Sequence, residues 1–192
     1  MLEVQGHPLD RVVAVINGKG GVGKTSIVAN IGALAAAAGY RVLVVDLDPQ
    51  GNIADDFGYA GTDNDDRGAA LHMAIATRQP GQPVIGIREN LDVLPGGEQT
   101  EDLEAVLYAR TRREPDAALD ALAESLIPIA ADYDLILLDC PPGGALLQEA
   151  ALGAARWLLI PTRSDLSSRK ALHTVAQRYV TARAGGARVE LL

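Results

Sequence analysis

Residues Asn17-Gly18-Lys19-Gly20-Gly21-Val22-Gly23-Lys24-Thr25 satisfy G-x-x-x-x-G-K-[ST], the spacing of a loop that wraps a phosphate chain. Glycines at 18, 20, 21 and 23 let the backbone approach a ligand closely. The N–H groups of Gly20 to Thr25, Val22 among them, then point inward. Lys24 in this pattern reaches the β- and γ-phosphates, and the Thr25 hydroxyl ligates Mg²⁺. Ser26 follows in the first turn of the helix, whose N-terminus adds partial positive charge. A glycine-rich turn with a solvated lysine shares this composition, so the flanking elements must decide.

Those flanks are a strand and a helix. Val12-Val13-Ala14-Val15-Ile16 is a short apolar run rich in β-branched residues, the pattern of a strand buried on both faces of a parallel sheet. Thr25 to Ala38 is rich in Ala and Leu and ends at Gly39, a favourable residue just past a helix. Arg41-Val42-Leu43-Val44-Val45 reads as a second buried strand and delivers Asp46-Leu47-Asp48-Pro49-Gln50-Gly51-Asn52 to its C-terminal end. Tyr133 to Leu138 is a third strand, closed by Asp139, and Trp157 to Ile160 a fourth, followed by Pro161-Thr162-Arg163. Alternating strands and helices predict an α/β fold: a doubly wound, mostly parallel sheet with helices on both faces and ligands at the strand C-termini. On that fold the acids converge on the loop. Asp139 would hold Mg²⁺ through water opposite Thr25, and Asp46 would make a second water-mediated contact. Asp48 lies on the same side of its segment as Asp46, further out.

The remaining chain reads as scaffold. Asp55, Asp56, Asp63, Asp65 and Asp66 crowd a Gly-containing loop without the spacing of a calcium loop, so a solvated acidic loop is expected. A helix is predicted over Ala69 to Thr77. Pro80 to Gly86 reads as a connector with at most a short edge strand, and Asn90 to Pro95 as a strand; Gly96-Gly97 is not followed by Gly-Lys and is no second phosphate loop. Helices are predicted over Thr100 to Tyr108, Asp116 to Ile127 with Asp116 as N-cap, Gln148 to Ala155 and Ser167 to Ala184, with a strand from Arg188.

Lys-Gly-Gly-Val-Gly-Lys-Thr resembles the deviant Walker A loop of the MinD and ParA superfamily, and Asp-x-Asp-Pro-Gln-Gly-Asn resembles the switch I of ParA partition ATPases more than that of MinD. Asp139-Cys140-Pro141-Pro142-Gly143 looks like the family's Walker B end and switch II. The resemblance covers nearly the whole chain. It implies that Lys19 crosses a dimer interface to the nucleotide of a second copy and that Asp48 orients the attacking water. Asp48, Pro49, Gln50, Pro142 and Gly143 would form the switches, and Pro161, Thr162 and Arg163 would lie near the base. It implies Mg²⁺ and ATP as cofactors, an ATP-dependent homodimer, non-specific DNA binding, slow hydrolysis and a centromere-binding partner protein that stimulates it. A related ATPase that positions protein clusters or compartments, or a MinD-like membrane-associated ATPase, would share the motifs. The family normally continues with one more strand, further base contacts and C-terminal helices.

The 192 residues are expected to form one domain, in the cytoplasm and without a membrane span. The single Cys140 excludes an internal disulfide and the cysteine-held clusters of iron–sulfur relatives, and it reads as a packed small residue. The ten residues before the first strand leave no room for a helix-turn-helix domain. The net charge of −8 is unevenly spread: residues 1–150 carry 10 basic and 23 acidic side chains, residues 151–192 carry 7 and 2. Within this basic end, Lys170 and Arg178 lie within about 80° of one another on a helix, while Arg169 faces the opposite side from Arg178. Lys170 with Arg178, extended by Arg183, is the expected DNA stripe.

Overall fold

The computed structural model describes residues 6–192, apart from the side chains of residues 166–169, so that of Arg169 lies outside the description. The apolar runs form a seven-stranded sheet in the order β3-β4-β2-β5-β1-β6-β7. Strands β1 (Val12–Val15), β2 (Val42–Asp46), β4 (Leu91–Leu94), β5 (Leu135–Asp139), β6 (Trp157–Leu159) and β7 (Glu190–Leu191) are parallel. The edge strand β3 (Val84–Arg88) is antiparallel to β4, and its Gly86 N–H donates to the Asp92 carboxylate at 2.7 Å.

Continuous apolar strands are required because both faces are covered. Along β2, Leu43 and Val45 enter one core while Val42 and Val44 enter the other. Helices α1 (Lys24–Ala37) and α2 (Asn52–Phe57) pack on the second core. Helices α3 (Ala69–Thr77), α4 (Leu103–Thr111), α5 (Ala117–Leu126), α6 (Ala145–Ala154) and α7 (Leu166–Ala184) lie over the first. Since β1 is flanked by β5 and β6, the chain reverses its direction of winding there, and the crevice at the strand C-termini opens over the glycine-rich loop.

Where the elements depart from the sequence pattern, the cause is a contact from elsewhere in the fold. Helix α2 is too short for a periodicity signal; Gly51 turns the chain at φ +63° and the Asp46 carboxylate accepts the Ile53 N–H at 3.3 Å. Before α4, Glu98–Thr100 forms a 3₁₀ turn instead of the expected helical start, with the buried Thr100 hydroxyl donating to the Gly97 carbonyl. Helix α6 begins at Ala145, ahead of the expected Gln148, because Glu104 of α4 accepts the Leu147 N–H at 2.9 Å. Asp116 stands at the N-cap of α5 without its side chain making a capping bond. Asp65 and Asp66 are turn and cap acceptors for the N–H groups of Gly61, Arg67, Gly68 and Ala70.

Two glycines show how tightly the helices sit. A Cβ on Gly153 of α6 would lie 1.8 Å from the Leu119 carbonyl oxygen of α5, whereas one on Gly32 of α1 would meet the tip of Val44 at 3.2 Å. Gly153→Ala must therefore separate α5 from α6 and is expected to cost about 3 kcal/mol or more. Gly32→Ala offsets its crowding with helix propensity and should change stability by less than about 1 kcal/mol. Urea denaturation of both variants checks the contrast; equal stabilities would contradict the packing described.

Candidate functional site

The phosphate loop is shaped by its glycines. Gly21 and Gly23 have φ of +70° and +91°, and added Cβ atoms at Gly20, Gly21 or Gly23 would meet no atom within 4 Å, so the loop faces open space. Helix α1 starts at Lys24 with Gly23 as its N-cap, no capping side chain and no acid in its first turn. The first-turn N–H groups of Lys24, Thr25 and Ser26 thus remain for an anion. Lys24 is buried, and its ammonium curls back to the Lys19 carbonyl at 3.4 Å, over the loop it would neutralise.

Asn17, which sequence reading did not single out, anchors the loop. It is fully buried; its Oδ1 accepts the Lys19 N–H at 2.8 Å and its Nδ2 donates to the Pro161 carbonyl at 2.6 Å. The end of β6 is thereby fastened to the loop, and Arg163 reaches the Gly21 carbonyl at 3.5 Å, while Thr162 is exposed. Lys19 pairs with Asp165 at 2.7 Å within the same chain.

Asp46 and Asp139 are register partners on adjacent parallel strands, so sheet pairing itself brings two carboxylates to one place. Asp46 accepts N–H bonds from Asp48 at 2.9 Å and from Ile53, yet burial and then the neighbouring Asp139 push its carboxyl well above the usual range. Asp139 is pushed up to about 6, because burial outweighs the facing Thr25 hydroxyl and the Lys24 ammonium. Both Asp139 oxygens are buried without a hydrogen-bond partner. An orphaned buried carboxylate beside a hydroxyl and a second acid is a donor set that fits a hard divalent cation such as Mg²⁺, which Thr25, Asp139 and Asp46 would hold. Asp48 follows, nearly buried, and accepts the Gln50 N–H at 3.0 Å next to Pro49. Gly96 closes this group: a Cβ there would lie 2.7 Å from the Asp46 side chain and 2.7 Å from the Asp48 carbonyl oxygen. Gly96 is therefore a site element, while its neighbour Gly97 packs against the Arg67 backbone.

Pro142 and Gly143 are exposed just beyond β5, beside the fully buried Cys140. Their loop is held by the fully buried Gln148, a second residue missed in the sequence, which also accepts a bond from Arg178. Arg178 is thus a half-buried cation tied to Gln148 rather than a freely exposed member of a surface stripe. Lys170 and Arg183 are exposed. Among the described residues, no helix is long and apolar enough to cross a membrane.

The raised acids predict a pH effect. An unfolded Asp titrates near ~3.9, so the folded, metal-free chain binds protons more tightly and loses stability as pH rises from about 4 through about 6, by about 3 kcal/mol from Asp139 alone. Scanning calorimetry should show the unfolding midpoint falling across this window, Mg²⁺ raising it above the window but not below, and Asp139→Asn flattening the fall. A midpoint that rises with pH across the window, unaffected by Asp139→Asn, would contradict the assignment.

A family model described as an AAA domain matches residues 10–183. The chain is 34% identical over 171 residues to the chromosome partitioning protein ParA of Myxococcus xanthus, covering 86% of this chain and 58% of that protein. It is also 34% identical over 165 residues to the sporulation initiation inhibitor protein Soj of Bacillus subtilis, covering 82% of this chain and 60% of the relative. It thus spans somewhat under two thirds of both relatives. Among solved structures, cobyrinic acid a,c-diamide synthase from Mycobacterium smegmatis with bound ADP and magnesium superposes with a TM-score of 0.77 at 29% identity, over 94% of this chain and 71% of that one. With the loop, the strand-end acids and these matches in agreement, the chain belongs to the AAA domain family and, within it, to the ParA group.

Proposed function

We propose that the chain is an ATP-driven partition switch: Mg²⁺ and ATP bind in the loop, two copies close around the nucleotide, and slow hydrolysis parts them. The observation that carries this reading is the orphaned Asp139 carboxylate set beside Thr25, at an α1 N-terminus whose N–H groups no side chain satisfies. The partitioning role is supported by the name of the Myxococcus xanthus relative at 34% identity, a chromosome partitioning protein.

In this reading the backbone N–H groups of Gly20 to Thr25 cradle the phosphates, and Lys24 leaves the Lys19 carbonyl to reach their outer oxygens. Bound Mg²⁺ would neutralise charge on the phosphate oxygens. Asp48 accepts a hydrogen bond from the attacking water, held in place by the Asp46 bond to its own N–H. Lys19 exchanges Asp165 for the nucleotide of a second copy, which makes hydrolysis depend on assembly. Pro161, Thr162 and Arg163 border the base, and Gly143 reports the γ-phosphate. The Myxococcus xanthus relative's name, which specifies the chromosome, supports DNA over a protein assembly as cargo. A centromere-binding partner that stimulates hydrolysis belongs to the same reading. With Arg178 tied to Gln148, Lys170 and Arg183 are what remains of the expected stripe for a non-specific phosphate contact.

The test is a DNA titration without nucleotide, with ADP and with ATP. Tight, salt-sensitive binding is expected with ATP alone. Asp48→Ala should keep that binding while hydrolysis falls about 100-fold. Equal DNA affinity in all three states, or parental turnover in Asp48→Ala, would defeat the switch.

A further inference from the structure

Gln148 connects two parts of the molecule that nothing in the sequence links. It is fully buried in α6, and its Nε2 donates to the Pro141 carbonyl at 2.8 Å and to the Gly143 carbonyl at 3.2 Å. Its Oε1 accepts a bond from Arg178 Nη1 on α7. A primary amide has two N–H donors, so both are committed to the loop after β5, while the acceptor end is committed to the last helix.

The loop it grips is built to turn. Gly143 is exposed and an added Cβ there would touch nothing within 4 Å, and Gly144 stands at φ +71°. The helix side is fixed, because Glu104 holds the Leu147 N–H. The Gly143 N–H belongs to the peptide lying between the two carbonyls that Gln148 holds. A displacement of this segment as a whole toward the phosphate loop disturbs at least one of those bonds, and a buried amide donor left unpaired is costly. Gln148 must then move with the loop, and Arg178 with Gln148. At its other end the relay meets a helix that can respond. Among the described side chains of α7 only Val175 and Ala182 are buried, and a cavity of about 220 Å³ lined by Glu149, Thr174 and Arg178 lies between α6 and α7.

We infer that Gln148 and Arg178 form a relay that couples the conformation of the Pro141–Gly143 loop to the placement of α7, with Gln148 as the positioning residue. The inference rests on the proposal that this loop senses bound ATP. It gives the basic end of the chain a mechanical link to the nucleotide site, through a residue the charge pattern alone assigns to DNA.

Hydrogen–deuterium exchange with and without Mg²⁺ and ATP tests it, reading the phosphate loop and α7 separately. In the parent chain ATP should protect the loop and change α7 exchange by about threefold or more. Arg178→Met should keep the loop protection and lose the α7 response, and Arg178→Lys, which can still donate to Gln148, should restore most of it. Gln148→Leu should behave as Arg178→Met; if it fails to fold, the two Arg178 variants decide. An α7 response in Arg178→Met equal to the parent's, or a protected loop with an unresponsive α7 in the parent, would overturn the relay alone. No loop protection in the parent would overturn the nucleotide reading and the relay with it.

Discussion

Two acidic side chains buried together at the ends of neighbouring strands are the constraint around which this molecule is arranged. Asp46 and Asp139 face each other across the β2–β5 ladder, both buried, and burial together with the neighbouring Asp139 holds the Asp46 carboxyl well above its usual range. The fold offsets only part of that burial. Two backbone N–H groups go to Asp46, whereas Asp139 is left with Thr25 and Lys24 nearby and no hydrogen-bond partner. A structure that spends stability in this way at one point marks that point as a site. The same carboxylate that carries the strain also organises what surrounds it: the bonds from Asp46 fix the backbone of Asp48 and begin α2, and Gly96 exists as glycine because those acids leave no room for a Cβ.

From this centre the connections run toward the last helix. A Cβ added at Gly18 would lie 3.8 Å from the Cβ of Ala171 in α7, Lys19 pairs with Asp165 just before that helix, and Arg178 is tied through Gln148 to the loop beyond Asp139. Helix α7 is thus joined to the phosphate loop and to the switch II segment by separate contacts, although it lies on the opposite face of the sheet from α1. In the proposed function, a change at the phosphates would have two routes to the basic end of the chain.

Much of this was legible in the sequence wherever the physics is local. The loop glycines, the apolar strands and the terminating acids Asp46 and Asp139 are dictated by nearest neighbours, and α3 falls where composition puts it, whereas the edge strand runs on to Arg88, past the expected connector. What could not be read depends on partners far along the chain. The cap that starts α2 comes from Asp46, the early start of α6 from Glu104, and Asn17 acquires its role from Pro161. Arg178 illustrates the limit most clearly. Helical spacing places it on a stripe with Lys170, but spacing cannot register that a buried Gln148 thirty residues earlier offers it a better partner than solvent.

The central claim is that the loop and the buried acids form one site for a metal-bound triphosphate. Titration calorimetry of ATP against the chain, with Mg²⁺ and then with a chelator, addresses it directly, using Lys24→Ala as the control for the phosphates and Asp139→Asn for the metal. The account predicts that Mg²⁺ tightens ATP binding about tenfold or more, that Asp139→Asn removes this gain, and that Lys24→Ala weakens binding with or without the metal. An ATP affinity indifferent to both Mg²⁺ and Lys24→Ala would contradict it.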